Sequence, residues 1–363
     1  MGMLKAMVRM AAALALAGLA ACGGGAQQPQ GAARPAAAAD VVVEEFMIGS
    51  AQAGVELYIR NKHKAELYNV QPERAVLFIH GASYPGHSSF DLPLDGVSWM
   101  DWMARRGYDV YSLDLRGYGK STRPPAMSQA PEANPPLGDT QAAVADVTRA
   151  VEFVLSRRGL PRLTLVGWSW GATVAGSYAV DTPTKVERLV LYAPQWMRDG
   201  QSVPADFDPA KLGAWRAVAP REARDRWLRA VPEARREKVL PPASFDAWAK
   251  ATLASDPEGA APQGAAKDTV RAPNGVVADA LKTWAVGKPL WMPSRVQVPT
   301  LVVQGEWDAE VSPAMAQAVF AQLTRAPARR YVMIGDATHA ALIESSRLHL
   351  YRAVQTFLEE SLP

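Results

Sequence analysis

Gly167-Trp168-Ser169-Trp170-Gly171 sets a serine between two tryptophans, with glycines two positions away on either side, after the apolar run Leu163-Thr164-Leu165-Val166. A strand that turns into a helix within so few residues crowds its central backbone, and glycines at those two positions relieve the crowding. A serine held there stands at the carboxyl edge of a sheet. The N-terminus of the following helix is then aimed at any negative charge that develops beside it. The chemistry this suits is attack on a carbonyl carbon, with Ser169 as nucleophile. The bland alternative is a tight Gly/Ser turn with no reaction to perform.

Three other stretches supply what a nucleophilic serine needs. His80-Gly81-Ala82-Ser83 follows the buried-looking run Ala75-Val76-Leu77-Phe78-Ile79, and the backbone N–H groups of Ala82 and Trp170 would together hold an oxyanion. His80 itself is read as organising that loop rather than moving protons. Gly305-Glu306-Trp307-Asp308 ends a later strand, where a carboxylate can orient a histidine. Asp336-Ala337-Thr338-His339 follows the last strand, where an imidazole can reach the serine as general base. The catalytic set is therefore Ser169, Asp308 and His339, with Trp168, Trp196 and Ser83 expected in the substrate pocket. No cofactor is required by this chemistry. Histidines 63, 80, 87, 339 and 349 are not spaced as metal ligands, so no metal site is expected.

The surrounding sequence has the rhythm needed to position these groups. Val41 to Ile48 and Val55 to Arg60 read as an opening hairpin. Strands are expected at 75–79, 108–113, 163–166, 186–192, 298–303 and 330–334. Helices are expected at 94–106, 139–157, 172–179, 313–323 and 346–360, the second with Ala143, Val147, Ala150, Val151 and Val154 at helical intervals. Such alternation predicts an α/β fold, a mostly parallel sheet flanked by helices. Between about Met197 and Arg295 no buried strand is apparent. Charged helical pieces at 219–230, 232–240, 243–254 and 277–285 fill that interval, together with several tryptophans. Residues 197–295 are accordingly expected as an inserted helical cap on a core of 41–196 and 296–363.

Composition narrows the function classes. A 48% hydrophobic, 21% charged chain excludes disorder over most of its length. A net charge of +3 without basic runs gives no reason to expect nucleic acid as a partner. Near the start, Lys5 and Arg9 precede the short apolar run Met10 to Leu19, the layout of a signal peptide over 1–21. Leu19-Ala20-Ala21-Cys22 resembles a bacterial lipobox, which implies an acylated Cys22 inserted in a lipid bilayer and an exported protein anchored in the cell envelope. The Gly/Ala/Gln/Pro-rich stretch 22–40 would be the tether. Cys22 is the sole cysteine, so no disulfide can form within the chain.

Taken together, the motifs resemble the α/β-hydrolase superfamily over roughly residues 41–361. His80-Gly81 with Pro85-Gly86 is similar to its HG-x-x-x-P-G loop, and Asp114-Leu115-Arg116-Gly117-Tyr118-Gly119-Lys120-Ser121 to its D-x-R-G-x-G-x-S turn, which supports the site without reacting. The resemblance implies the α/β-hydrolase fold, a cap after the sixth core strand, and a triad in the chain order Ser169, Asp308, His339. Dehalogenases and soluble epoxide hydrolases of this fold use an aspartate nucleophile; serine at 169 argues against both. The expected reaction is hydrolysis of a small apolar or aromatic carboxylic ester through an acyl-enzyme. Gly-x-Ser-Trp-Gly also resembles proline iminopeptidases. That alternative, an aminopeptidase or amidase, requires a cap carboxylate such as Glu222, Glu233 or Glu237 to hold a substrate ammonium. A third reading is a catalytically idle, lipid-anchored binding protein. Oligomeric state is left open by the sequence.

Overall fold

The computed structural model describes residues 41–197, 208–259 and 267–361. The signal peptide, Cys22 and the tether lie outside the described residues. Strands β1 (Val41–Gly49), β2 (Glu56–Lys64), β3 (Ala75–Ile79), β4 (Asp109–Leu113), β5 (Leu163–Trp168) and β6 (Val186–Tyr192) precede the insertion. Within it lie β7 (Trp215–Val218) and β8 (Val270–Pro273), and after it β9 (Thr300–Gly305) and β10 (Arg329–Ile334). The main sheet has eight strands in the order β1-β2-β4-β3-β5-β6-β9-β10. β1–β2 and β2–β4 pair antiparallel and the remaining neighbours parallel.

β3 explains why the sheet needs helices on both faces. All of its residues are buried, with Leu77 and Ile79 on one face and Val76 and Phe78 on the other. Each such side chain contributes about 1.5–3 kcal/mol when fully removed from water. One face is covered by α3 (Thr140–Arg158), α4 (Trp170–Asp181) and α9 (Pro313–Gln322), through Val147, Val151, Ala172, Ala175 and Val319. The opposite face is covered by α1 (Gly86–Phe90), α2 (Trp99–Ala104) and α10 (Arg347–Glu359), through Phe90, Trp99, Met103, Val354 and Phe357. α3 starts where Asp139 accepts from the Ala142 N–H and stops at Gly159, whose φ of 63° reverses the chain. The helix expected over 94–106 is shorter, because Ser98 and Asp101 form a reciprocal capping box that fixes its start at Trp99.

The insertion is largely helical, as expected, with α5 (Ala223–Trp227), α6 (Arg236–Val239), α7 (Pro242–Ala254) and α8 (Gly275–Lys282). It also contains strands where none was expected: β7 and β8 pair antiparallel, Trp215 opposite Pro273 and Val218 opposite Val270. Four-residue strands so far apart in the chain leave no periodicity to detect. Among the described residues no helix is long and apolar enough to cross a membrane.

Candidate active site

The strand ends bring the expected residues to one edge. Parallel strands β3, β5, β9 and β10 deliver, just past their carboxyl ends, Gly81-Ala82-Ser83, Ser169, Asp308 and His339 respectively. Ligand crevices of open parallel sheets form outside those carboxyl ends. Ser169 has φ 59° and ψ −120°, a conformation an L-residue rarely occupies. Two hydrogen bonds to strand β6 and its exit hold it there: the Ser169 N–H donates to Tyr192 O at 2.8 Å, and the Gln195 N–H donates to Ser169 O at 3.4 Å. The flanking glycines are sterically required. A Cβ on Gly167 would lie 2.3 Å from Gly171 O, and one on Gly171 would lie 2.3 Å from Ile79 O. Gly81 is packed less severely: its Cβ would meet Ser169 Cβ at 3.0 Å and Trp168 O at 3.1 Å.

Behind the serine, His339 Nδ1 donates to Asp308 Oδ2 at 2.8 Å, and both side chains are almost fully buried. Asp308 Oδ1 accepts from the N–H groups of Glu310 and Val311, each at 2.9 Å. The carboxylate is thus fixed before it meets the ring. The tautomer is fixed with it: Nδ1 carries the proton and Nε2 is left as an acceptor facing the cavity. Burial alone would pull the imidazole pKa down. The charge and hydrogen bond of Asp308 outweigh that, with Glu310 adding to them, and hold it above the ordinary value. Ser169 and His339 line the same cavity but are not hydrogen-bonded to each other. Such bonds are commonly long until substrate closes the site.

Two backbone donors next to these residues are unpaired. The N–H of Trp170, first residue of α4, and that of Ala82 in the loop after β3 meet no acceptor among the described residues. The loop carrying Ala82 is braced from below. His80 is fully buried, and burial pushes its pKa down to about 4, so the ring is neutral. Nδ1 donates to Gly81 O at 2.7 Å and Nε2 accepts from the Leu115 N–H at 3.0 Å. Asp114 continues the brace, accepting from the N–H of Gly86 at 2.8 Å and of Lys120 at 3.0 Å. His80 and the Asp114–Ser121 turn therefore hold the loop in place, as the sequence reading expects.

The cavity measures about 450 Å³ and is lined by Ser169, His339, Ala82, Ser83 and Trp168, among others. Trp168 is also pinned, its indole N–H donating to His339 O at 3.0 Å. Trp196 is not in the wall. It packs in the core beneath, its ring N–H directed at Trp291 O. The Trp170 ring likewise turns away, to Thr140 Oγ1 at 3.0 Å. Apolar cover comes instead from Trp227, Trp284 and the α8 residues Val276, Val277, Ala280 and Leu281.

Charged groups that the sequence reading did not place also line the cavity: Arg216, Arg226, Glu222 and Glu310. Of the three cap glutamates considered, Glu222 is among the lining residues, exposed on its rim. Glu310 pairs with Arg226 and stands 3.8 Å from His339 Nε2. Its position two residues after Asp308 was the one available signal. A further unanticipated group is Glu344, fully buried, which accepts from the Thr338 N–H at 2.9 Å and from the Thr338 hydroxyl. Burial raises its pKa to about 8.

Comparison with known proteins agrees with this fold. The chain is 33% identical over 85 residues to abhydrolase domain-containing protein abhd-5.2 of Caenorhabditis elegans, covering 23% of this chain and 17% of that protein. It is 29% identical over 138 residues to human (lyso)-N-acylphosphatidylethanolamine lipase, covering 37% and 35%. These matches span well under two thirds of the relatives' length. A thermophilic esterase from Thermogutta terrifontis, malate bound, superposes with a TM-score of 0.54 at 18% identity, over 87% of this chain and 98% of that one, which shows a shared fold. A family model described as alpha/beta hydrolase fold matches residues 74–346. With strand order, strand-end site and family match in agreement, this chain belongs to the alpha/beta hydrolase fold family.

Proposed function

We propose that this chain is a serine hydrolase that cleaves a carboxylic ester of a small molecule with an apolar or aromatic part, through an acyl-enzyme. The observation that carries the reading is the His339–Asp308 pair, set in the cavity that Ser169 also lines, beside two unpaired backbone donors. Asp308 holds the Nδ1–H tautomer, so Nε2 takes the proton of Ser169 as Oγ attacks the carbonyl carbon. The N–H groups of Ala82 and Trp170 receive the oxyanion. His339 then gives its proton to the leaving alcohol, and water repeats the cycle on the acyl-serine. Trp168, Trp227, Trp284 and the α8 side chains offer the apolar surface for the substrate.

A hydrolysis screen of p-nitrophenyl esters of graded acyl length, against aminoacyl-p-nitroanilides, tests this. Esters should be preferred, a fluorophosphonate probe should label Ser169, and Ser169→Ala should lose both signals. An aminopeptidase is the second reading, favoured by the Glu222 carboxylate at the cavity rim; it predicts that the anilides are preferred. An idle fold would leave the probe unreacted.

Anchoring through an acylated Cys22 at the cell envelope is part of the same reading. It is supported by the Lys5/Arg9 head, the apolar run and Leu19-Ala20-Ala21-Cys22. Palmitate labelling of the full chain in a bacterial host, lost in Cys22→Ser, is the expected result; label retained in that variant would exclude it.

A further inference from the structure

Arg216 brings a positive charge from the cap strand β7 down onto the loop that follows β3. Its Nη2 donates to Ser83 Oγ at 2.7 Å, and its Nη1 donates to Pro273 O at 2.7 Å and faces Asn274 Oδ1 at 3.4 Å. Every one of these partners is neutral. They occupy at most three of the five guanidinium donors, and Nε has no partner among the described residues. No carboxylate of the described residues pairs with it. The other charges of the cavity do not neutralise it: Glu310 is taken by Arg226, and Glu222 sits exposed at the rim. Burial pulls the Arg216 pKa below the ordinary guanidinium value, and neighbouring Arg226 pushes the same way.

Arg216 is half-buried; a cation partly withdrawn from water with no counter-charge is costly, and a neutral amide could serve Ser83 and the Pro273 carbonyl without that cost. The charge is useful where an anion arrives with the substrate. Arg216 meets Ser83, the neighbour of Ala82, so that anion would lie beside the carbonyl being attacked. We propose that Arg216 determines specificity by binding a carboxylate, or a comparable anionic group, on the ester that Ser169 cleaves. The proposal rests on the ester-hydrolase reading and refines its substrate class: an apolar or aromatic body with an acidic end. Guanidinium recognises a carboxylate in a paired, planar fashion that lysine cannot reproduce.

The test compares esters of similar size that differ in charge. Mono-p-nitrophenyl glutarate is set against p-nitrophenyl valerate, for an acid on the acyl side. 4-Acetoxybenzoate is set against its methyl ester, for an acid on the alcohol side. In one pair the wild-type kcat/KM should favour the anionic ester by about tenfold or more, the range of a hydrogen bond to a charged group. Arg216→Gln should bring that ratio close to one, and Arg216→Lys should keep only part of it. A wild-type ratio near one in both pairs, or a ratio that survives Arg216→Gln, overturns the proposal. Should Arg216→Gln fail to fold, the wild-type ratios decide alone. Binding gives a readout independent of turnover: glutarate and 4-hydroxybenzoate are added to Ser169→Ala, and at least one should raise its Tm. Neither should do so once Arg216→Gln is added, and no rise in Ser169→Ala alone counts against the subsite. Neutral esters hydrolysed with no anionic preference sink this inference only. Absence of all ester turnover and of Ser169 labelling sinks the hydrolase reading, and the Tm arm still decides the subsite.

Discussion

Asp308 and His339 are joined by a 2.8 Å hydrogen bond whose carboxylate is itself held by two backbone N–H groups of the next loop, those of Glu310 and Val311. The carboxylate therefore orients the ring and not the reverse.

Asp308→Asn should keep the fold and lose the tautomer, because an amide can present its N–H to Nδ1 and leave the proton on Nε2. A fall in kcat of roughly 10⁴ is expected. Steady-state kinetics on a p-nitrophenyl ester, with circular dichroism to establish folding, measure it; a loss below tenfold would show that another group orients His339.

The acid limb of kcat/KM reports His339. Only the neutral ring accepts the serine proton, so activity should rise with pH, with a midpoint above 6.5, because Asp308 and Glu310 raise the imidazole pKa against the pull of burial. Glu310→Gln removes one of the two raising charges and should move the midpoint down. A midpoint that stays put would mean that the 3.8 Å contact with Nε2 has no electrostatic consequence.

Gly171→Ala adds one methyl and no chemistry, yet its Cβ would stand 2.3 Å from Ile79 O and 2.5 Å from His80 O. Backbone cannot yield as a flexible side chain does, so a destabilisation of about 1–3 kcal/mol is expected. Activity should fall with it as Ser169 and the Ala82 loop are pushed apart. Urea unfolding and turnover on the same sample read both effects.

Glu344 should impose a pH dependence on stability. Its folded-state pKa is raised to about 8, from 4.5 for an ordinary glutamate, with burial the main cause. Between those values the unfolded chain has released a proton that the folded chain retains, so this group's contribution falls as pH rises through that window. Glu344→Gln should flatten the Tm profile between roughly pH 4.5 and 8. An identical slope in the variant would assign the dependence to other groups.

Much of this molecule can be read from its sequence, for identifiable reasons. β3, β5 and β6 are continuous apolar runs because strands buried on both faces must be, and each lies where the pattern puts it. Gly167, Ser169 and Gly171 are legible because the steric demand of the turn is local: the clashing atoms belong to neighbouring residues or to the adjacent strand end. Asp308 and His339, which the fold brings within hydrogen-bond distance, are legible as candidates because each follows the end of an apolar strand. The cap was less legible. β7 and β8 stabilise each other across more than fifty residues, and neither strand carries a signal alone.

The same limit applies to the cavity. That Trp168 lines it while Trp196 and the ring of Trp170 do not is a matter of side-chain direction, set by packing against Trp291 and Thr140. Sequence alone determined the sheet, the turn and the three residues expected to react, since local sterics and periodicity specify them. Only the tertiary structure decided that Arg216, Arg226, Glu222 and Glu310 line one cavity with the serine, because the charge around a site is the sum of distant elements and no local pattern encodes it.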